Sequence, residues 1–305
     1  MVAGMTARNE TRQMMHHLFF LNKRSLRGRT GKCADEIKRI CADNGLRHEI
    51  IITDSIVGLN DSVSRFASQK DAVYYAVGGD GTFQVLANAV NLETAVLQYL
   101  PYGSGNNAYT TFYNQKFDLE RDILATGTFK ADLGQANGEY FMTMFGLALD
   151  AMVGHNLAKF KWLPLPGKPK YYASILYSLL FHAKPINVKM TVDGVTEEKA
   201  SSFISITNGP TTGGNTPISP HSSAFDGKLN AIVADALSLT GALGLFSKIS
   251  AGEHLRDPRV SQYLFEELLF ESDKMMLYEI DGEIRFSDRI KVSVCKNAVT
   301  LKGKP

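Results

Sequence analysis

Five residues with the composition of a phosphate-binding turn, Gly78-Gly79-Asp80-Gly81-Thr82, follow an apolar run and precede an amphipathic one. Glycines let backbone N–H groups approach phosphate oxygens, and the N-terminus of a following helix favours negative charge. Asp80 could hold a Mg²⁺ ion that bridges phosphates, and Thr82 could cap the helix or bond a phosphate. The alternative is a tight turn that binds nothing. Because the strand and helix context is present, we favour phosphate binding.

Carboxylates in two Asp-Gly pairs are candidates for proton transfer. Asp281-Gly282-Glu283 lies between two strand patterns, and Asp193-Gly194 lies in the same setting. Asp-Gly is among the commonest dipeptides of tight hairpin turns, so the residues alone indicate a turn in both places. Phosphoryl transfer needs a base near the acceptor hydroxyl, but the local pattern does not distinguish Asp281 from Asp193.

The elements that would position these residues alternate between strands and helices in the first part of the chain. Cys33, Ile37, Ile40 and Cys41 form the apolar stripe of a helix that Gly45 could end. We expect strands at 18–22, 48–53, 72–77 and 95–100, with helices at 30–44, 61–69 and 83–91. This alternation predicts a parallel sheet covered by helices, in an α/β nucleotide-binding domain of residues 1–130.

The pattern changes near residue 130, where many runs alternate apolar and polar residues as antiparallel strands do. We expect strands at 128–133, 140–146, 186–193, 201–207, 229–234, 276–280, 284–287 and 290–295, with helices at 170–183 and 238–250. The sequence therefore predicts a β-rich, sandwich-like second domain of residues 131–295. The last residues of the chain could return to pack on the first domain.

Short motifs follow one another along nearly the whole chain in a recognisable order. They are Gly78–Thr82, Leu100–Asn107 (LPYGSGNN), Asp132-Leu133-Gly134, the run from Gly146 to Asp150-Ala151, Asn208–Gly214 with Asp226-Gly227-Lys228-Leu229, Gly252-x-His254, and Asp281-Gly282-Glu283. In this order they resemble the diacylglycerol kinase catalytic domain family, which includes sphingosine kinases and bacterial lipid kinases. The first turn alone also occurs in NAD kinases, and the second loop narrows the choice.

The resemblance implies an ATP-dependent kinase that phosphorylates the hydroxyl of a membrane lipid, such as diacylglycerol or a sphingoid base, with ATP and Mg²⁺ as cofactors. It implies that ATP lies in a cleft between the two domains. The implied cofactor-binding residues are Asn22, Ser25, Gly78, Gly79, Asp80, Gly81, Thr82, Gly103, Ser104, Gly105 and Asn106. Asp281 is implied as the base that accepts the lipid proton, and Asp80 and Glu283 as catalytic residues near ATP or metal. Asp226 is implied as a ligand of a structural Mg²⁺, with a plain turn residue as the alternative.

Two other interpretations stay open. A NAD kinase-like small-molecule kinase would use the same glycine turn with a polar acceptor pocket. A catalytically weak nucleotide- or lipid-binding homologue is suggested by departures from the family pattern: residues 22–28 lack the family's Pro, Asn107 stands where many members carry an acid, and Phe225 replaces an Asp. Measurable ATP consumption with a lipid acceptor would separate this homologue from a kinase.

Composition indicates where the protein works. The 305 residues carry a net charge of +2, so no basic field points to nucleic acid. Three cysteines without CxxC spacing favour a reducing compartment.

Without a secretory signal or a spanning segment, we expect a soluble, cytoplasmic protein that contacts the membrane surface transiently. Basic residues at 23–32 and the loop around Trp162 could make this contact. The oligomeric state is open, and a homodimer is compatible with the sequence.

Overall fold

The computed structural model describes residues 15–67, 69, 71–113, 115–157, 167–182, 184–212 and 216–305. The chain folds into two compact units. Unit 1 comprises Met1–Ala131 together with Asn297–Pro305, and unit 2 comprises Asp132–Lys296. Separate hydrophobic clusters form the cores of the two units.

Unit 1 is built on a parallel sheet with the strand order β2-β1-β3-β4. Its strands are β1 (His16–Asn22), β2 (His48–Thr53), β3 (Ala72–Gly78) and β4 (Val96–Pro101). Thr300 and Leu301, near the end of the chain, pair in parallel with Val96 and Leu97 of β4. Every residue of β3 is buried, as expected for a parallel strand covered on both faces.

Helices connect the strands of unit 1, so the predicted α/β class is confirmed. They are α1 (Lys23–Leu26), α2 (Thr30–Asp43), α3 (Ile56–Ser64), α4 (Asp80–Ala89), α5 (Asn107–Phe112) and α6 (Leu119–Leu124). The predicted stripe of α2 is buried in the core, and the helix ends just before Gly45, whose φ is 64°. This left-handed conformation suits glycine and stops the helix there.

Two helices begin earlier than the sequence pattern predicts. Helix α3 starts at Ile56 because the Ser55 hydroxyl accepts the N–H of Gly58 at 3.1 Å and caps the helix. Helix α4 starts at Asp80, inside the glycine turn, so Asp80 stands in its first turn. Helices α5 and α6, each of six residues, were not predicted, since neither is long enough to show a periodic pattern.

Unit 2 is an antiparallel β structure, and the predicted β-rich second part is confirmed. Its strands are β5 (Thr128–Ala136), β6 (Glu139–Phe141), β7 (Met144–Ala148), β8 (Ile186–Val192), β9 (Val195–Thr207), β10 (Leu229–Asp235), β11 (Val260–Phe265), β12 (Glu267–Ile280) and β13 (Glu283–Lys302). The first residues of β5 and the last of β13 belong to unit 1. The strand order is β11-β10-β9-β7-β12-β13, and β8 also pairs with β9 and β12. One face of these strands packs around buried residues such as Phe145, Phe265 and Phe270.

In the described part of unit 2 the α-helices are α7 (Leu149–Leu157), α8 (Gly167–His182) and α9 (Leu239–Ala251). Helix α7 packs on the face of β7, β9 and β12 that points away from the phenylalanine core. The expected strand at 140–146 is two strands, β6 and β7, because Met142 and Thr143 turn their N–H groups toward Asp281. The two strands expected at 284–287 and 290–295 form the single strand β13, and β11 was not predicted.

Candidate functional site

The two glycine loops of unit 1 touch each other at the carboxyl ends of β3 and β4. A Cβ atom added to Gly103 would lie 2.5 Å from the Cα of Gly79, so any side chain at this position would clash. The N–H of Tyr102 donates to the carbonyl of Gly78 at 2.7 Å. The carboxyl edge of an open α/β sheet is where such folds bind ligands, and glycines here leave the backbone N–H groups uncovered.

Asp80 joins the first glycine turn to the helix that follows the second. Its Oδ1 accepts the N–H of Ala108 at 3.0 Å, and its Oδ2 accepts the N–H of Asn107 at 3.2 Å. The hydroxyl of Tyr99 lies 3.3 Å from Oδ1. Burial raises the pKa of Asp80, and these donors oppose the rise. The carboxylate therefore caps the N-terminus of α5 and fixes the second loop against the first.

Asn22, the last residue of β1, and Ser25, in α1, reach the same glycine turn. The Asn22 amide donates to the Thr82 hydroxyl at 3.0 Å, while its oxygen accepts the N–H of Arg24 at 3.1 Å and caps α1. The Ser25 hydroxyl is 3.8 Å from the position of a Cβ on Gly79. A Cβ on Gly78 would collide with the Thr82 hydroxyl, so glycine at this position leaves room for the Thr82 side chain beside the end of β3.

The second loop is held in shape by Asn106, which has a left-handed φ of 59°. Its side-chain oxygen accepts the N–H of Gly103 at 2.9 Å and lies 3.1 Å from the Tyr99 hydroxyl. Gly105 lies beside Asp80: a Cβ added to Gly105 would be 3.1 Å from Asp80 Oδ2. Ser104 is exposed at the tip of the loop, and Gly81 has open space around it. All the predicted cofactor-binding residues therefore gather at one edge of the sheet.

A cavity of about 420 Å³ lies next to this edge, at the end of β2. Its lining residues are Lys23, Ile52, Thr53, Asp54, Gly58, Asp61, Ser62 and Arg65. Thr53 is buried, and its hydroxyl has no hydrogen-bond partner among the described residues. A buried hydroxyl without a partner is costly unless a ligand or water satisfies it. Thr53 was not predicted as a site residue, because a threonine that ends a strand carries no signal of its own.

No group of three or more His, Cys, Asp or Glu residues in the described part of the chain could hold a metal ion. Asp226 is exposed, and its side chain accepts the N–H of Lys228 at 3.0 Å, as in a turn closed by an aspartate. This matches the turn alternative, and the metal role of Asp226 stays a prediction. Mg²⁺ often binds through one or two carboxylates plus substrate phosphates, so Asp80 fits an ion that arrives with a nucleotide.

Asp281, in unit 2, occupies a polar pocket built by the segment between β6 and β7. Its Oδ1 accepts the N–H groups of Thr143 and Met144, each at 3.0 Å, and the Thr143 hydroxyl at 2.5 Å. Its Oδ2 accepts the N–H of Met142 at 2.6 Å. Burial raises the pKa of Asp281 to about 6, although these four donors oppose the rise. Such a pKa suits a base that works near neutral pH.

Three turns in unit 2 share the backbone geometry of Asp281-Gly282. The φ angles are 46° and 93° at Asp281-Gly282, 45° and 88° at Asp193-Gly194, and 48° and 90° at Asn137-Gly138. Positive φ at both central residues defines the turn that Asn-Gly and Asp-Gly favour in hairpins. Asp193 differs from Asp281 in being exposed and in using only Oδ1, which accepts the N–H groups of Glu266 and Glu267. The hairpin prediction is confirmed for both Asp-Gly pairs.

The buried Asn208 amide holds the segment that donates to Asp281, and the buried Asp132 lies next to this amide. The Asn208 amide donates to the carbonyls of Asp132 at 2.8 Å and Met142 at 3.2 Å. The Asp132 carboxylate accepts the N–H of Gly227 at 2.7 Å. Asn208 and Asp132 stood out in the sequence only as members of motifs, and their partners lie too far along the chain to be found from local spacing. The side chain of Glu283, the first residue of β13, makes no hydrogen bond or ion pair to another described residue.

Some predicted features lie outside the described residues. They are the loop around Trp162, at 158–166, and residues 213–215 of the motif that begins at Asn208.

Comparison with protein families finds two matches that together span most of the chain. Residues 16–136 match the diacylglycerol kinase catalytic domain. Residues 143–302 match the YegS C-terminal NAD kinase beta sandwich-like domain. The glycine loops of unit 1 and the Asp281 pocket thus fall in different family domains.

Relatives and solved structures agree with these matches. A "putative lipid kinase" of Staphylococcus haemolyticus is 26% identical over 248 residues, which are 79% of each chain. A second "putative lipid kinase", from Staphylococcus aureus, is 29% identical over 248 residues, which are 75% of this chain and 76% of that protein. The fold resembles the crystal structure of a "putative diacylglycerol kinase" from Bacillus anthracis, with a TM-score of 0.78, 20% identity and 96% of each chain covered.

Proposed function

The chain belongs to the family that joins a diacylglycerol kinase catalytic domain to a YegS-type C-terminal domain, and we propose that it is an ATP-dependent lipid kinase. In this reaction a lipid hydroxyl oxygen bonds to the γ-phosphorus of ATP, the bond to the ADP oxygen breaks, and a base takes the hydroxyl proton. The observation that carries the proposal is the pair of touching glycine loops at the carboxyl edge of the parallel sheet.

The phosphates of ATP would lie against the backbone of these two loops. Gly79 and Gly103 are so close that a phosphate beside the N–H of Gly79 would contact both loops, whereas the N–H of Gly103 already donates to Asn106. Asp80 keeps both loops in place, and Mg²⁺ bound with the nucleotide would offset the phosphate charge. The Asn22 side chain bonds to Thr82 and so joins the end of β1 to the same site.

The nucleoside part of ATP would extend toward the cavity at the end of β2. Thr53 offers an unpaired buried hydroxyl there, and Asp54 and Asp61 offer acceptors for ribose hydroxyls. The cavity volume of about 420 Å³ is in the range of small-molecule sites. Replacing Thr53 with Val would remove this partner with little change in side-chain volume.

Asp281 would act as the base toward the lipid hydroxyl. Oδ2 accepts one hydrogen bond, from Met142, and so has lone-pair capacity for a substrate proton, whereas Oδ1 accepts three. Its raised pKa means that the carboxylate is ionised above about pH 6 and holds a proton more readily than an ordinary Asp. Both properties are those of a general base.

Access to a lipid would come from reversible contact of helix α8 with an anionic bilayer surface. Leu176, Leu180 and Phe181 lie within two turns of each other on this helix, and they are 51%, 50% and 65% exposed. Lys184 follows the helix and is also exposed. Exposed apolar side chains next to a cation suit the interface of an anionic membrane. No helix in the described ranges is long and apolar enough to cross a bilayer.

The decisive experiment is incubation with γ-labelled ATP, Mg²⁺ and a total lipid extract, followed by identification of the labelled product. We expect label in a lipid that carries a free hydroxyl. A parallel reaction with NAD tests the small-molecule alternative. Label in NAD and none in lipid would replace the lipid kinase with a NAD kinase-like enzyme. No label in either, with ATP bound, would indicate a binding protein.

A further inference from the structure

Two carboxyl groups that the proposed reaction does not use, Glu279 and Asp150, are buried together in unit 2. Glu279 of β12 lies directly opposite Gly146 of β7, and Gly146 lies opposite Ser205 of β9. Residues opposite each other on neighbouring strands share a face, so these three residues form a row across the sheet. Helix α7 covers this row and brings Asp150, in its first turn, over Gly146.

Glycines leave the space that the two carboxyl groups fill. A Cβ on Gly146 would lie 2.9 Å from Asp150 Oδ2 and 3.0 Å from Glu279 Cγ, so both side chains border the same vacant position. A Cβ on Gly154 of α7 would overlap Glu279 Oε2. The Glu279 carboxyl is therefore wedged between strand β7 and the backbone of α7, and its neighbours are too close for it to move aside.

The described surroundings of this pair contain no cation. The charged groups acting on Glu279 are Asp150 and Asp281, and both are carboxyls. Among the other elements packed here, β7 carries no titratable residue, β9 contributes Ser205, and the only other titratable residue of α7, His155, is exposed. Asp150 Oδ2 and Glu279 Oε2 are buried without a hydrogen-bond partner among the described residues.

A buried carboxylate without a cation costs far more than a neutral carboxylic acid. Burial raises the pKa of Asp150 to about 7, although the Ser205 hydroxyl opposes the rise. Burial, with the neighbouring Asp150 and Asp281, raises the pKa of Glu279 well above its ordinary value. These pKa shifts favour the neutral acid form of both groups, and Glu279 is the one that has two carboxyl neighbours.

We propose that Glu279 is a positioning residue that works as a neutral carboxylic acid, keeping α7 packed on strand β12 and so holding the Asp281 turn in place. Loss of its proton would bring like charges together beneath α7 and loosen that packing. The effect on packing does not depend on the reaction, whereas the effect on turnover rests on the proposed function. Glu279→Gln copies the neutral acid in shape and in hydrogen-bonding groups.

The test compares thermal unfolding of the wild type and Glu279→Gln between about pH 5 and pH 9. An acid whose pKa is raised by folding binds more protons in the folded state, so it loses stability as pH rises from its unfolded to its folded pKa. We expect the melting temperature of the Gln variant to exceed that of the wild type by a larger margin at about pH 9 than at about pH 5. Glu267→Gln, at an exposed acid of the same strand, should leave the pH dependence unchanged.

Turnover gives a second, independent measurement. Glu279→Gln should keep wild-type turnover near pH 7 within about threefold and should extend activity to higher pH. A loss of more than tenfold at every pH would show that Glu279 works as a carboxylate and would overturn the proposal. A wild-type pH dependence of stability in the Gln variant would also overturn it. Thermal unfolding is measured without substrate. If the protein has no lipid kinase activity, the proposed function is refuted, but the unfolding result still tests the role of Glu279.

Discussion

At the scale of single residues, the two candidate carboxylates Asp80 and Asp281 share one property. Each uses both of its oxygens to accept backbone N–H groups from a distant segment of the chain. Each therefore organises a loop as well as offering a charge. A substitution at either position tests structure and chemistry together, and it needs a control that separates the two.

Asp281→Asn should reduce turnover by about 10²–10⁴-fold, the usual contribution of a general base. The turn itself tolerates asparagine, because Asn137-Gly138 already adopts the same φ angles. An asparagine side chain has an NH₂ group in place of one carboxylate oxygen. This group would face the N–H of Met142 or of Thr143 and leave it without an acceptor, which lowers stability by roughly 1–3 kcal/mol. A turn residue without these contacts would tolerate the change, whereas the four donors at Asp281 predict a loss of stability. Kinetics and thermal unfolding measure the two effects.

The matched control is Asp193→Asn, in the second Asp-Gly turn. Only Oδ1 of Asp193 accepts hydrogen bonds, and an asparagine oxygen can replace it. We expect stability within about 0.5 kcal/mol of wild type and normal turnover. If both variants keep full activity, Asp281 is only a turn residue.

In the wild type, turnover should also rise with pH across about 6, where Asp281 loses its proton.

Asp80→Asn should weaken nucleotide binding by about tenfold or more, because one of the two N–H groups at the start of α5 loses its acceptor. Calorimetry with ATP in the presence and absence of Mg²⁺ distinguishes two causes. If Asp80 mainly fixes the loops, affinity falls in both conditions. A loss confined to Mg²⁺-containing buffer would instead assign the carboxylate to the metal. Wild-type affinity in both would remove Asp80 from the site.

At the scale of elements, the site depends on how closely the ends of β3 and β4 bring their loops together. Gly103→Ala would place a methyl group 2.5 Å from the backbone of Gly79 and 2.8 Å from the Asn106 side chain. We expect the loops to separate and ATP affinity to fall by at least tenfold, with the core of unit 1 intact. Gly31→Ala, in helix α2 of the same unit and also facing open space, is the control and should bind ATP nearly normally. Equal affinities would show that loop contact is not required.

Elements with a strong local pattern could be predicted from the sequence. Strand β2 lies where expected, at His48–Thr53, and the apolar stripe of α2 is buried as expected. The glycine turn was placed correctly because strand, turn and helix are contiguous in sequence. Helix α3 was misplaced because a Ser cap overrode its apolar pattern.

Features that depend on distant residues could not be predicted in the same way. The Asp281 pocket joins residues almost 140 positions apart, and Glu279 is buried only because Gly146 and Gly154 leave room for it. A lone Glu in an amphipathic strand is typical of a solvated residue, and no local spacing reveals its neighbours. The sequence could therefore indicate which residues carry chemistry, but not which residues hold them in place.

At the scale of the whole molecule, a net charge of +2 gives no strong attraction to membranes. Binding to a bilayer would therefore rest on a local surface, and the exposed side chains of α8 next to Lys184 form the candidate. Weak, reversible binding fits an enzyme that must leave one membrane site to reach the next. The prediction is co-sedimentation with vesicles that contain anionic lipid, weaker with neutral vesicles and at high salt.

Phe181→Ser should weaken this vesicle binding by about tenfold, since full burial of a large apolar side chain contributes roughly 1.5–3 kcal/mol. Phe286→Ser is the control, because Phe286 is exposed to a similar extent but lies on strand β13. Activity on a short-chain lipid dissolved below its micelle concentration should be the same in both variants and in the wild type, which separates membrane contact from catalysis. Equal vesicle binding by the two variants would remove α8 from the membrane interface. A change in molecular mass for Phe181→Ser alone, measured by light scattering, would reassign this face to contact between two copies of the chain.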